Sequence, residues 1–112
     1  MQERTRENVS AIIPVRNGQP WVSDCIQNIK TVLQENDELI FVDDDSQDDT
    51  FRILHSFQYL FPNMRVVKNP GKGIVSALNY GVEISQNQIL ARLKSCVTIQ
   101  RNDSRFQSFR EQ

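Results

Sequence analysis

The feature that most constrains the fold is the alternation of short β-branched runs with segments of helical periodicity. Such alternation with short connections is typical of parallel strands joined by right-handed crossovers. It predicts an α/β fold: an open, mostly parallel, doubly wound sheet with helices on both faces, strand one central and strand two beside it. The predicted strands are Val9–Val15, Glu38–Val42, Met64–Asn69 and Gln88–Leu93, and the predicted helices begin near Pro20, Asp48 and Gly73.

Length, charge and apolar patterning argue against several classes of protein. The 112 residues predict a single domain, 1–112, and the net charge of −1 gives no basic footprint for nucleic acid. No apolar run approaches the roughly 20 residues of a membrane span, and the first residues do not resemble a signal peptide. Cys25 and Cys96 lie far apart without metal-ligand spacing. We therefore expect a cytoplasmic protein with reduced thiols that is not transmembrane.

Two polar loops follow the first two predicted strands. "RNGQP" follows strand one and "DDDSQDDT" follows strand two. In open parallel sheets, ligands bind at the carboxyl ends of the strands. Both loops are therefore candidates for a ligand site, and the five aspartates of Phe41–Thr50 need an explanation.

Three of the aspartates have a structural interpretation. Ser46 followed by Asp49 fits a capping-box-like start of the second helix, which would place Asp48 and Asp49 in its first turn. Asp45 lies where the chain must turn sharply, and aspartate tolerates left-handed geometry. Asp43 and Asp44 remain as candidates for binding a ribose or a base, with the Asp44 carboxylate expected to face solvent.

Two other ligand sites do not fit this sequence. A calcium loop starting at Asp43 would have Gln47 at its third ligand position, Asp48 in place of the glycine and Leu54 in place of the bidentate glutamate. A dinucleotide site requires Gly-x-Gly-x-x-Gly after strand one, and "PVRNGQP" has one glycine.

Several stretches in order, taken together, resemble the family-two glycosyltransferases. They are "VSAIIPVRNGQPWVSDCIQNI", "IFVDDDSQDDT", "NPGKGIVSALNYGVEIS" and "ILARL", which cover Val9 to Leu93. The resemblance implies a GT-A fold and a nucleotide-diphosphate sugar as donor, usually of uridine. The implied reaction is transfer of the sugar to an acceptor hydroxyl with inversion.

The resemblance also implies which residues bind the nucleoside. The loop after strand one and the acid pair after strand two contact it, and a segment around the Gly71–Gly73 loop closes over the nucleotide. The positions that match are Pro14, Val15, Arg16, Asn17, Asp43, Asp44, Gly73 and Asn79. Two alternatives stay open: Arg16 could pair with the acid loop, and Asn79 could bond to a loop backbone.

The sequence departs from the family pattern after the fourth strand. Family members carry an Asp-x-Asp motif there for Mn²⁺ or Mg²⁺, and this chain has Lys94, Ser95, Cys96 and Val97. A lysine, a thiol and a valine do not replace those ligands, so no metal is expected to bind to this chain alone. The segment 94–112 is divergent. No residue matches the catalytic base of the family's second half, and His55 is expected to be a surface or half-buried helix residue.

Three functional interpretations follow from this departure. The chain is either a truncated transferase that is inactive alone, a non-catalytic nucleotide-binding module, or an assembly module or remnant of a transferase. Truncation after strand four would expose a sheet edge, which predicts a homodimer. Phe106 and Phe109, at helical spacing, are expected to form a short terminal helix or part of that contact.

Overall fold

The fold is a five-stranded sheet with helices on both faces. The computed structural model describes residues 8–31, 33–87, 89–93 and 106–110. The spatial order of the strands is β3-β2-β1-β4-β5, in which β1 to β4 are parallel and β5 is antiparallel to β4. In chain order the elements are β1 (Val9–Val15), α1 (Val22–Lys30), β2 (Glu38–Asp43), α2 (Thr50–Phe57), a 3₁₀ turn (Gln58–Leu60), β3 (Met64–Lys68), α3 (Gly73–Ile84), β4 (Ile89–Leu93) and β5 (Phe106–Arg110).

This arrangement confirms the predicted α/β sheet, with β1 between β2 and β4. The four central residues of strand β2, from Leu39 to Val42, are all apolar, and the packing shows why. Leu39 and Phe41 pack with α1 and α2 on one face, whereas Ile40 and Val42 pack with α3 on the other. A strand buried on both faces needs apolar residues at every position rather than at alternate ones.

The edge of β4 is paired within the chain, which the sequence did not predict. Phe106–Arg110 forms strand β5 rather than the expected terminal helix. An exposed edge strand leaves its backbone N–H and C=O groups unpaired, and pairing with β5 satisfies them despite the helical spacing of the phenylalanines. The homodimer argument assumed that this edge was open. Homodimerisation therefore stays a prediction, which sedimentation velocity at tens of micromolar would check.

A buried carboxylate organises the opposite, amino-terminal end of the sheet. Glu38 is 4% exposed, and its Oε1 atom accepts hydrogen bonds from Ser10 Oγ and the Gln86 N–H, both at 2.8 Å. Arg65 Nη1 donates to Glu38 Oε2 at 3.4 Å and to the Ile84 carbonyl at 2.6 Å. These bonds connect β1, β2, β3 and the end of α3, so this polar cluster has a structural explanation.

The expectation of reduced thiols is wrong for the described cysteine. Cys25 lies on the fully buried side of α1 and is disulfide-bonded. Cys96, the other cysteine of the chain, lies outside the described residues. Within the described part, no helix has both the length and the apolar character needed to cross a bilayer. The cytoplasmic location stays a prediction.

Candidate functional site

Three loops meet at the carboxyl edge of the sheet because β1, β2 and β3 are parallel. We call them the β1 loop (residues 16–21), the β2 loop (44–49) and the β3 loop (69–72). Two backbone hydrogen bonds hold them to neighbouring strands: the Asp44 N–H donates to the Val15 carbonyl and the Asn69 N–H to the Asp43 carbonyl, each at 2.8 Å. The edge predicted from strand order is therefore one connected surface.

Asn17 and the β2 loop hold each other through reciprocal hydrogen bonds. The Asn17 N–H donates to Ser46 Oγ at 2.8 Å, and the Gln47 N–H donates to Asn17 Oδ1 at 2.7 Å. Asn17 has φ 50°, a left-handed conformation that asparagine tolerates better than most residues. The side-chain oxygen of this predicted ligand residue is therefore already used to join two loops.

A second set of bonds joins the β1 loop to the start of α2. The Gly18 N–H donates to Thr50 Oγ1 at 2.7 Å, and the Thr50 hydroxyl donates to Asp48 Oδ1. Asp48 also accepts from the Thr50 N–H at 3.0 Å and the Gln19 N–H at 3.2 Å. The bond from the Thr50 hydroxyl, together with those N–H groups, lowers the pKa of Asp48 because each stabilises the ionised carboxylate.

The predicted capping box at the start of α2 is wrong. The helix begins at Thr50 with Asp49 as its N-cap, and the Asp49 side chain makes no capping hydrogen bond. Asp48 and Asp49 thus precede the first turn instead of lying in it. The Ser46 hydroxyl accepts from Asn17 across the loops, and Asp48 provides the acceptor for the Thr50 N–H.

The other three aspartates have different environments. Asp45 has φ 59°, which confirms the predicted left-handed turn. Asp43 is 2% exposed: its Oδ2 atom accepts from the Ser46 N–H at 3.3 Å, and its buried Oδ1 atom has no hydrogen-bond partner among the described residues. Asp44 is half-buried and contacts the β3 loop instead. The adjacent acids therefore support different loops.

One oxygen of Asp44 is used by the chain and the other is open. Asp44 Oδ1 accepts from Asn69 Nδ2 at 3.0 Å and from the Gly73 N–H at 3.1 Å. Asp44 Oδ2 has no hydrogen-bond partner within the described residues. Gly73 has φ 90°, a conformation that side chains rarely adopt, so glycine is required where its N–H turns towards Asp44. The expectation that this carboxylate simply faces solvent was incomplete.

The remaining predicted residues differ in what they can offer a ligand. Val15 is buried and Pro14 half-buried within β1, so their side chains present little surface at the edge. Arg16 is exposed, and no ion pair joins it to an acid in the described ranges, which removes the support for the alternative that it pairs with the acid loop. The described ranges likewise hold no hydrogen bond from the Arg16 side chain.

Asn79 lies apart from the acids. It is six residues along α3 from Gly73, a rise of about 9 Å. Its exposed side chain lines a shallow surface cavity with Lys72, Val75 and Tyr80, and the described residues provide it with no local hydrogen bond to a loop backbone. Of the eight predicted residues, Arg16, Asn17, Asp44 and Gly73 follow strand ends at this edge, whereas Asn79 is the most remote from them along the chain.

Asn69 is a site residue that sequence reasoning did not single out. It directly follows β3, and it contacts Asp44, Gly71, Gly73 and Ser76. The available signal was its position: an amide side chain with both donors and an acceptor, at the carboxyl end of a strand next to the acid-bearing one. His55 is exposed and packs edge-on against Phe51, as expected for a surface helix residue.

No metal centre forms among the described residues, where no group of three or more histidine, cysteine or acidic side chains is arranged to hold an ion. Lys94 to Val97, on which the metal argument depended, lie outside the described residues. The absence of a metal site on this chain stays a prediction.

Comparison with known proteins identifies a family that covers most of the fold. The profile of the family described as "Glycosyl transferase family 2" matches residues 10–95, which is more than half of the chain. This match includes all but the first residue of β1, the whole of β2 to β4 and all three loops, and it ends before β5.

Similar proteins are glycosyltransferases and synthases. The glycosyltransferase GlyG of Streptococcus pneumoniae is 26% identical over 97 residues, which are 86% of this chain and 32% of GlyG. Chondroitin synthase of Escherichia coli is 31% identical over 87 residues, which are 78% of this chain and 13% of the synthase. The crystal structure of S. aureus TarS 1-349 in complex with UDP-GlcNAc superposes with a TM-score of 0.69 at 19% identity, over 78% of this chain and 26% of TarS. The chain therefore spans a third or less of each protein, and the TarS likeness establishes the GT-A fold.

Proposed function

The chain belongs to glycosyl transferase family 2, and from that membership we propose that the edge formed by its three loops binds the nucleoside of a nucleotide-diphosphate sugar donor. The observation that carries the proposal is the Asp44 carboxylate. Its Oδ1 atom is fixed by Asn69 and Gly73, and its Oδ2 atom has no partner among the described residues. A fixed carboxylate with one open oxygen is a ready acceptor for a ribose hydroxyl or a base N–H.

A residue near Asp44 can bind another part of the nucleotide-diphosphate sugar. Arg16 directly follows β1 at the same edge, with an exposed side chain and no ion-pair partner in the described part of the chain. A guanidinium can stack on a base or pair with phosphate. Asp43 is buried, so we assign it to support of the Ser46 turn rather than to direct contact with the nucleoside. TarS, a solved structure of the same fold, contains UDP-GlcNAc.

For the reaction, we propose that the domain belongs to the donor-binding part of an inverting transfer to an acceptor hydroxyl, and that this chain alone does not catalyse it. Lys94, Cys96 and Val97 do not offer hard oxygen ligands for Mn²⁺ or Mg²⁺. We therefore assign no metal-dependent step to this chain. Loss of a metal ion that offsets charge on a leaving diphosphate removes several kcal/mol of transition-state stabilisation, about a thousandfold in rate.

Nitrogen–proton NMR titration with UDP, with pyrophosphate as a separate ligand, tests the nucleoside site. We expect shifts in the β1, β2 and β3 loops and a dissociation constant near 1 mM, about −4 kcal/mol. Asp44→Asn keeps an oxygen for Asn69 and Gly73 but replaces the open one by an amide, so UDP affinity should fall about tenfold. Asp45→Asn, one residue away and exposed, is the matched control and should leave affinity unchanged.

Three results would contradict the proposal. They are chemical-shift changes confined to another surface, no response at millimolar UDP, and an Asp44→Asn protein that binds UDP like the wild type. Turnover is tested separately by donor hydrolysis and by calorimetry with manganese and a UDP-sugar. We expect neither turnover nor micromolar metal-dependent binding, and either result would show that the substitutions at Lys94 to Val97 have been misinterpreted.

A further inference from the structure

Asn69 is the centre of the hydrogen-bond network under the β3 loop. Its Nδ2 atom donates to Asp44 Oδ1 at 3.0 Å and to the Gly73 carbonyl at 3.2 Å. Its Oδ1 atom accepts from the Gly71 N–H at 3.1 Å and from Ser76 Oγ at 3.0 Å. Both ends of one amide are therefore used, and only a side chain with a donor end and an acceptor end satisfies this arrangement.

The network adds to the direct bond between the β2 loop and the start of α3. Asp44 belongs to the β2 loop, whereas Gly73 and Ser76 lie in the first turn of α3. In the β3 loop between them, Gly71 lies beside Ser76, since a Cβ atom on Gly71 would collide with the Ser76 hydroxyl. The Asn69 backbone is itself anchored, because its N–H donates to the Asp43 carbonyl at 2.8 Å. A shift of the Asn69 side chain would thus be transmitted to Asp44 and to the start of α3 together.

We propose that Asn69 is a positioning residue that sets the direction of the open Asp44 oxygen towards the nucleoside, an inference that rests on the proposed function. A carboxylate with two unconstrained oxygens rotates about its Cβ–Cγ bond, and an acceptor that must be ordered on binding contributes less affinity. The Asn69 amide and the Gly73 N–H together hold Asp44 Oδ1. The carboxylate then cannot rotate freely, and Asp44 Oδ2 keeps one orientation. Asn69 acts through Asp44 and need not touch the ligand.

Asn69→Asp is the sharpest variant because it is isosteric. It keeps an acceptor for Gly71 and Ser76, but it replaces the donor to Asp44 by a second carboxylate oxygen, which repels the Asp44 charge. Asn63→Asp is the chemical control: it makes the same change in a side chain that donates to the Glu35 carbonyl, at 3.1 Å, near the start of β3 at the opposite end of the sheet. Ser76→Ala is the structural control, since it removes a bond to Asn69 Oδ1 while leaving the donor to Asp44.

The experiment measures UDP and pyrophosphate dissociation constants, hydrogen exchange of the Gly73 N–H and urea unfolding for all four proteins. For Asn69→Asp we expect UDP affinity to fall about tenfold, with Gly73 exchange accelerated by about the same factor and the pyrophosphate response unchanged. Ser76→Ala and Asn63→Asp should bind UDP like the wild type, whatever their stability. Comparing them at matched stability separates positioning from general destabilisation.

Two results overturn the positioning role. One is an Asn69→Asp protein that binds UDP as tightly as the wild type, and the other is a Ser76→Ala protein of equal stability that loses as much UDP affinity as Asn69→Asp. If the wild type itself gives no UDP response at these loops, the proposed function fails and the positioning role fails with it. An Asn69→Asp protein that does not fold is replaced by Asn69→Ala, which removes the donor without adding charge and carries the same expectations.

Discussion

Asn17 and Ser46 join the β1 and β2 loops directly, because the backbone N–H of Asn17 donates to Ser46 Oγ at 2.8 Å. The two residues are 29 positions apart in the sequence. A second bond, from the Gln47 N–H to Asn17 Oδ1, joins the same two loops. The loops that follow the first two strands are therefore bonded to each other. A ligand at this edge would therefore meet two loops that are already ordered.

The first prediction concerns the two roles of Asn17. Asn17→Ala loses the acceptor for the Gln47 N–H, about 1 kcal/mol, and strains the backbone at φ 50° by about 1 kcal/mol more. Asn17→Gly loses the acceptor without the strain, so it should cost less than Asn17→Ala. Urea unfolding midpoints measure the difference. Equal losses in the two variants would show that the backbone conformation contributes nothing.

The second prediction concerns Asp45, whose φ is 59°. Asp45→Gly should change the free energy of unfolding by less than about 1 kcal/mol, because glycine adopts this conformation without strain. Asp45→Val should lose about 1–2 kcal/mol, because a β-branched residue does not tolerate it. Thermal unfolding of the two variants is the measurement. A valine variant as stable as the glycine variant would contradict the left-handed assignment.

The third prediction is a pH dependence from Asp48. Its pKa lies below the ordinary 3.8 because the folded protein stabilises its charged form, chiefly through the Thr50 hydroxyl. Its contribution to stability is therefore fully present above the unfolded-state pKa and is lost as the pH falls through the lower folded-state pKa. The stability advantage of the wild type over Asp48→Asn should thus be constant near neutral pH and should shrink below pH 3.8.

Urea unfolding of the wild type and Asp48→Asn from about pH 6 to about pH 2 checks this dependence. The same comparison in a Thr50→Val background is the control, since the hydroxyl that lowers the pKa is then absent and the pH-dependent part should decrease. A difference between wild type and Asp48→Asn that does not vary with pH would count against the Asp48–Thr50 interaction.

The fourth prediction concerns the close approach of α3 to β1. A Cβ atom on Gly81 would lie 2.5 Å from Ile12 Cγ2, in a fully buried environment. Gly81→Ala should therefore cost about 1–3 kcal/mol despite the higher helix propensity of alanine. In an Ile12→Ala background, which makes room, the same change should cost less, and a double-mutant cycle measures that coupling. Additive losses would mean that the helix shifts away without cost.

Much of the fold could be predicted from local sequence. The apolar runs predicted β1 to β4, and the short connections between them predicted parallel strands with β1 in the centre, all of which the structure confirms. The left-handed turn at Asp45 was likewise a local property, since it follows from the tolerance of aspartate for positive φ. These features depend on residues that are close in the sequence, and that is why pattern and propensity were sufficient.

The different roles of the residues at the site were decided by tertiary structure. Asp43 and Asp44 are adjacent and chemically identical, yet one is buried under the Ser46 turn and the other is held by Asn69, 25 residues away. Likewise, the Ser46 hydroxyl accepts a hydrogen bond from Asn17 instead of capping the helix. Phe106–Arg110 is a strand because it pairs with the edge of β4 that would otherwise be unpaired. Such roles depend on which donor reaches which acceptor after the strands align. The sequence by itself determined that acids would stand at the carboxyl edge of β2, and only the packing of three loops decided which carboxylate oxygen stays open, because hydrogen bonds between distant residues form only in the folded chain.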